Sequence, residues 1–199
     1  MKSALAYSCN CYFAALADEI GAGKLAKTMR QVGMDADSRF ELETSRNSIY
    51  LAKGATESEL VETAIGQGRT GVTPLYMAML ASAFANDGMM MKPYIVDHVV
   101  YPDGTETKNT VPEKLTEICT AEEAAAIKDM MIGVVSGGTG TAAAINGVTV
   151  AGKTGTAENA TGYDHSWFIG FAPAENPKVA VAVVIENANY GSATPIAGK

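Results

Sequence analysis

The run Val148-Thr149-Val150-Ala151-Gly152-Lys153-Thr154-Gly155-Thr156-Ala157-Glu158 limits the fold more than any other stretch of the chain. Its β-branched alternation predicts a strand leading into a Lys-Thr-Gly-Thr tetrad. Such a strand presents a fixed ammonium at Lys153, hydroxyls at Thr154 and Thr156, and a backbone open to close approach at Gly155. Together these suit a ligand with a carboxylate and an extended, peptide-like backbone.

The same letters spell a phosphate-loop pattern, Gly147 to Thr154, of the form G-x-x-x-x-G-K-[ST]. That motif requires a strand before its first glycine and a helix starting at its lysine. Here the β-branched residues lie inside the would-be loop. The segment after Thr154, Gly-Thr-Ala-Glu-Asn-Ala-Thr-Gly, has no apolar helical period. Nucleotide binding is therefore disfavoured by context at both ends. A plain structural edge strand with an exposed Lys153 is the other alternative to a site.

With 199 residues, the chain is long enough for one large domain or two small ones, and its 47% hydrophobic content suits a globular core. Net charge is −7, from 15 basic and 22 acidic side chains. An acidic chain without basic clusters argues against nucleic acid as a partner. No run approaches transmembrane length and no signal-like N-terminus is present, so membrane attachment is expected only through a segment outside this chain. The three cysteines, Cys9, Cys11 and Cys119, read best as small buried apolar residues. With His98 and His165 they form no ligand spacing, so neither a metal nor a cofactor is expected.

Along the chain, apolar stripes predict helices through Lys2 to Met34, broken at Gly21 and Gly23. Ser8-Cys9-Asn10 disfavours a helix interior. It is placed at a short break with its polar side chains in a cleft; a helix cap beginning near Cys11 is the alternative. Asp35 to Ala55 is polar and irregular, and Glu57 to Ile65 predicts a short helix. Gly66 to Gly71 matches G-x-G-x-x-G but follows a helix-like piece, so it reads as a tight glycine loop. Thr73-Pro74 starts a helix that is apolar almost all round and ends at Asn86-Asp87-Gly88. Tyr94 to Tyr101 and Thr105 to Val111 predict a hairpin. Thr120 to Glu123 is a capping box before a helix over 121–135. The Val148 strand is followed by strands at Ser166 to Ala172 and Val179 to Glu186; Val179 to Ile185 is continuously apolar, as for a strand covered on both faces. Helices first and strands last predict an α+β fold, with helices packed on an antiparallel sheet, in a single domain over 1–199.

Ser8-Cys9-Asn10 and Lys153-Thr154-Gly155, in this order, resemble the second and third motifs of the penicillin-binding protein and serine β-lactamase superfamily. Ala4 to Asn10, Ile65 to Gly68 with Val72-Thr-Pro74, Asn86 to Gly88 with Lys92-Pro93, Val150 to Ala157 and Trp167 to Pro173 are similar to class B penicillin-binding transpeptidase domains. The superfamily's first motif is Ser-x-x-Lys, which holds the nucleophile. No serine here has lysine three places on; Thr105-Glu-Thr-Lys108 has the spacing with the wrong nucleophile in a hairpin turn. The resemblance implies that the motif precedes Met1, that a final helix follows Lys199, and that this chain is the C-terminal portion of a partial transpeptidase fold.

What the resemblance implies is peptidoglycan cross-linking by two-step serine acyl transfer on a stem peptide, in a cell-wall enzyme of cell shape and division that β-lactam antibiotics acylate. Lys153 would supply a positive field for the substrate carboxylate, Ser8 would relay a proton, and Asn10 would orient the absent lysine and the substrate amide. Thr154 and Thr156 would hydrogen-bond the substrate, the Thr156 amide would serve an oxyanion hole, and Gly155 would let the substrate strand lie close. The chain alone would be inactive, and the parent protein would act on the extracytoplasmic face of the bacterial membrane. A β-lactamase would need a deacylating carboxylate, for which Glu41, Glu43, Glu57 and Glu59 are the candidates. A non-catalytic β-lactam-sensing or structural module is the third reading. An exposed sheet edge adds the expectation of an edge-paired dimer.

Overall fold

A computed structural model of the chain describes residues 1–51, 54–188 and 191–199. Helices packed on a three-stranded sheet carry the site. Helices α1 (Lys2–Ala6), α2 (Asn10–Ile20) and α3 (Ala22–Gln31) come first, separated at Tyr7 to Cys9 and at Gly21. Only Gly21, at φ 79°, breaks the run; Gly23 lies inside α3, where a helical φ places no demand on it. The expected irregular segment, 35–55, holds no helix or named strand over 35–51 and 54–55, and residues 52 and 53 lie outside the described residues.

Helix α4 (Glu57–Ala64) starts with a capping box the sequence reading did not single out: Glu59 N–H donates to Thr56 Oγ1, and Thr56 N–H donates to the Glu59 carboxylate. Helix α5 (Pro74–Ala85) begins as expected, with Thr73 accepting from Tyr76 N–H. Its residues beyond Pro74 are buried or half-buried, which is why it could be apolar all round. Helix α6 (Ala121–Gly137) opens on the Thr120 capping box and runs two residues past the expected Val135.

Two ribbons connect these helices. One pairs β1 (Met89–Met91) with β4 (Lys114–Glu117), and the other is the expected hairpin, β2 (His98–Val100) with β3 (Glu106–Asn109). The first was not expected. A Met-Met-Met strand and a Lys-Leu-Thr-Glu strand carry neither β-branched enrichment nor clean alternation.

The main sheet is antiparallel, in the order β5 (Ala151–Ala157), β6 (His165–Ala172), β7 (Val179–Ile185). Strand β5 begins at Ala151, three residues later than expected. The β-branched residues Val148 to Val150 precede it, with Val148 bridged to Ile145 and Val150 buried in the core. Strand β7 has packing on both faces, as its apolar run predicts, but at the edge of the described sheet its side chains from Ala180 to Ile185 are half-buried, not fully buried. Phe171, Ala151 and Ala180 face Met131, Phe84 and Ala85 of α6 and α5. On the other face, Phe168, Val183 and Ile185 meet Ala143, Ala193 and Ala197, the last in a short helix α7 (Thr194–Ala197). Burying a large apolar side chain such as Phe168 contributes about 1.5–3 kcal/mol, so the two-sided packing holds β5 firmly from β6 outward.

The cysteine expectation is corrected: Cys9 and Cys11 are exposed and Cys119 is half-buried. The first two sit at the solvent side of the α1–α2 junction. Among the described residues no helix is long and apolar enough to cross a membrane, and no His, Cys, Asp and Glu group could hold a metal ion.

Candidate functional site

The α1–α2 break puts Ser8 at φ 51°, the left-handed region that a non-glycine residue enters at a cost of roughly 1–2 kcal/mol. Backbone bonds hold it there: Cys9 N–H donates to Ala4 O at 2.9 Å and Thr139 N–H to Ala6 O at 3.0 Å. The end of α6 can approach α1 this closely because residue 138 is glycine; a Cβ there would lie 2.2 Å from Ala6 O. The helix-cap alternative for Ser8-Cys9-Asn10 does not hold. Cys9 is the N-cap of α2 and makes no side-chain cap bond, while Asn10 is already the first helical residue.

Across the cleft, Lys153 donates to Ser8 Oγ and, at 2.8 Å, to Thr154 O. The two side chains are 145 residues apart in sequence. Burial of the ammonium holds the Lys153 pKa below the ordinary lysine value. This excludes the exposed-lysine alternative. Thr154 Oγ1 shares a 2.7 Å hydrogen bond with Thr139 Oγ1. Alternation along β5 puts Lys153 and Gly155 on the sheet face that carries Ala151, and Thr154 and Thr156 on the opposite face. Gly155 pairs with Trp167 in the ladder, and a Cβ there would meet Trp167 Cβ at 3.1 Å. A larger residue at 155 would thus crowd Trp167 within the sheet itself, whatever lies on the cleft side.

The cleft has a volume of about 780 Å³, and every expected site residue, Ser8, Asn10, Lys153, Thr154, Gly155 and Thr156, lines it. Among the described lining residues Lys153 is the sole cation and Glu158 the sole carboxylate; Ser166, Ser192, Thr194 and Thr139 add hydroxyls, and Phe13 and Trp167 apolar wall. At its Lys153 end, where the ammonium stands among hydroxyls, the cleft suits a ligand that carries a carboxylate. Lys153 and Thr154 lie in mid-strand, with no helix N-terminus behind them, so the phosphate-loop alternative fails on its own terms. None of Glu41, Glu43, Glu57 and Glu59 lines the cleft; Glu41 accepts backbone N–H bonds from Ile95 and Val96 instead. A second cavity, about 430 Å³ beneath residues 33–47, contains none of the expected site residues.

Residues 1–199 match the family described as penicillin binding protein transpeptidase domain. The chain belongs to that family. This transpeptidase-domain chain is 37% identical over 198 residues to the peptidoglycan D,D-transpeptidase PbpA of Mycolicibacterium smegmatis, covering 94% of the chain and 38% of the relative. It is 28% identical to the peptidoglycan D,D-transpeptidase MrdA of Acinetobacter baumannii, with 96% and 32% covered. Among solved structures, the D,D-transpeptidase domain of a peptidoglycan glycosyltransferase from Eggerthella lenta superposes with a TM-score of 0.94 at 39% identity, over 99% of this chain and 51% of that one. An imipenem acyl-enzyme complex of penicillin-binding protein A from M. tuberculosis gives 0.91 at 35%, over 99% and 45%. The chain thus spans under two-fifths of the length of the curated relatives it matches.

Two cleft-lining residues that bond to β5, Thr139 and Gln67, carry no signal of that contact in the sequence. Thr139 was read only as part of a glycine-containing loop, and Gln67 only as part of another. Each is a polar side chain held between glycines, a pattern that fixes a backbone tightly enough to aim a side chain, but names no target.

Proposed function

We propose that this chain is the substrate-facing part of a serine-type D,D-transpeptidase, whose parent protein cross-links peptidoglycan by acyl transfer outside the cell membrane. The observation that carries the reading is the Lys153 ammonium bonded to Ser8 Oγ, on one cleft with Asn10 and the Thr154–Thr156 edge. The nucleophile is assigned to a Ser-x-x-Lys segment preceding Met1, with residues 1–199 forming the C-terminal portion of one domain. The attacking serine adds to the penultimate D-alanine carbonyl, the terminal D-alanine leaves with a proton, and an amine of a second stem peptide takes the acyl group. Lys153 holds the terminal carboxylate and keeps the proton of Ser8 positioned for the leaving amine. Asn10 bonds the substrate amide, and Thr154 and Thr156 bond the carboxylate and acyl side chain. β-Lactams enter as mimics of the donor, in keeping with the penicillin G acyl-enzyme of the M. tuberculosis relative. The outer edge of β7 is where an upstream strand or a second copy would pair.

The test is intact mass after benzylpenicillin on the parent protein, with the present chain as control. A stable adduct on the parent alone is expected. Rapid loss of the adduct would point to a β-lactamase, and no adduct on either protein would leave a non-catalytic module of this fold.

A further inference from the structure

The outer edge of β5 is not an open strand edge. Gln67, at the tip of the loop between α4 and α5, donates from Nε2 to Thr156 O at 2.8 Å, and Glu158 N–H donates to its Oε1 at 3.0 Å. Its side-chain amide thus stands where one residue of a neighbouring strand would stand. The loop is built for this: Gly66 and Gly68 flank Gln67 at φ 79° and 77°, and Gln67 N–H is tied to Glu62 O at 2.8 Å.

Ladder parity then fixes what remains. Thr156 O points to the free edge, so the Thr156 N–H, Thr154 N–H and Thr154 O do as well. Lys153 Nζ already occupies Thr154 O. With Thr156 O and Glu158 N–H bonded to Gln67, the edge facing the cleft from Thr154 to Thr156 offers unbonded N–H donors, while both of its carbonyls already accept a bond. A peptide strand needs both; an oxyanion or carboxylate needs only donors.

We propose that Gln67 is a positioning residue of the acyl-transfer site. It holds the backbone just beyond Thr156, through Thr156 O and Glu158 N–H, so that the adjoining Thr156 N–H on the same edge faces the reacting carbonyl oxygen, and it ends the substrate's run along β5 at Thr156. This rests on the acyl-transfer reading above. Gln67 touches no reacting atom; it acts through the Thr156 and Glu158 backbone.

The test uses the parent protein with Gln67→Met, which keeps length and volume but loses both hydrogen bonds, beside Gln67→Ala. Three quantities are read: the benzylpenicillin acylation rate, the infrared band of the acyl-ester carbonyl, and the melting temperature. Both variants are expected to acylate about 10–100-fold more slowly, since a displacement of about 1 Å of a reacting group's partner costs up to about 100-fold. The ester band should move to higher wavenumber as its hydrogen bonding weakens, with melting changed by only a few degrees because two exposed hydrogen bonds are lost. Acylation within about twofold of the unsubstituted protein together with an unmoved band overturns the proposal, as does a rate loss with no band shift that merely tracks lost stability. No adduct even on the unsubstituted protein removes the acyl-transfer reading, and this proposal with it.

Discussion

Replacing Lys153 with methionine in the parent protein tests the electrostatic core of the site. The side chain keeps its length and loses its charge. An ammonium and a ligand carboxylate about 4 Å apart attract by about 4 kcal/mol at an effective dielectric of 20, and by about 1 kcal/mol in bulk water. The half-buried ammonium in an open cleft lies between those limits, so acylation by a carboxylate-bearing penicillin should fall roughly 10- to 1000-fold. A penicillin methyl ester lacks the carboxylate, so its rate should fall far less and the two substrates should converge. Stability moves little. Loss of the bonds to Ser8 Oγ and Thr154 O costs about 1 kcal/mol each, offset by no longer desolvating a charge.

The pH dependence follows from the same burial. The folded-state pKa of Lys153 is lowered, so the acid-to-ester preference should decline with rising pH before the ordinary lysine value of about 10.4 is reached, and Lys153→Met should lack that decline. In the window between the lowered and the ordinary value the unfolded chain binds more protons than the folded one, so this group's contribution to stability rises with pH there. An unchanged acid-to-ester ratio in Lys153→Met, or a melting loss beyond about 8 °C, would refute the assignment of Lys153 as the carboxylate anchor.

Two further outcomes separate site from scaffold. Asn10→Asp puts a carboxylate in the first turn of α2, which should stabilise the fold by about 0.3–1 kcal/mol while slowing acylation at least tenfold, read by melting and by intact mass. Thr120→Ala removes the α6 capping box and should cost about 1 kcal/mol, or roughly 2–4 °C of melting temperature, with the acylation rate unchanged.

Local chemistry explains which parts were legible in the sequence. Thr73-Pro74, Thr120 with Glu123, and the apolar runs of β6 and β7 are short-range signals whose physics is complete within a few residues, and each produced the expected element. Strand β1 is the counter-example. Met89 to Met91 becomes a strand because Lys114 to Glu117 pairs with it, a partner no local pattern announces. The exposure of Cys9 and Cys11 was equally out of reach, since their apolar character says nothing about which side of the α1–α2 break faces solvent.

The same division runs through the site. Residue order and local propensity specify the chemical groups: a lysine and two hydroxyls on one strand, and a polar triplet that a helix interior disfavours. Tertiary structure alone decided that Ser8 meets Lys153 across 145 residues, that burial lowers the lysine's pKa, and that Gln67 closes the edge of β5. Those facts depend on the approach of α1 to α6, the order of the sheet and the amount of water excluded, none of which is a property of any single segment.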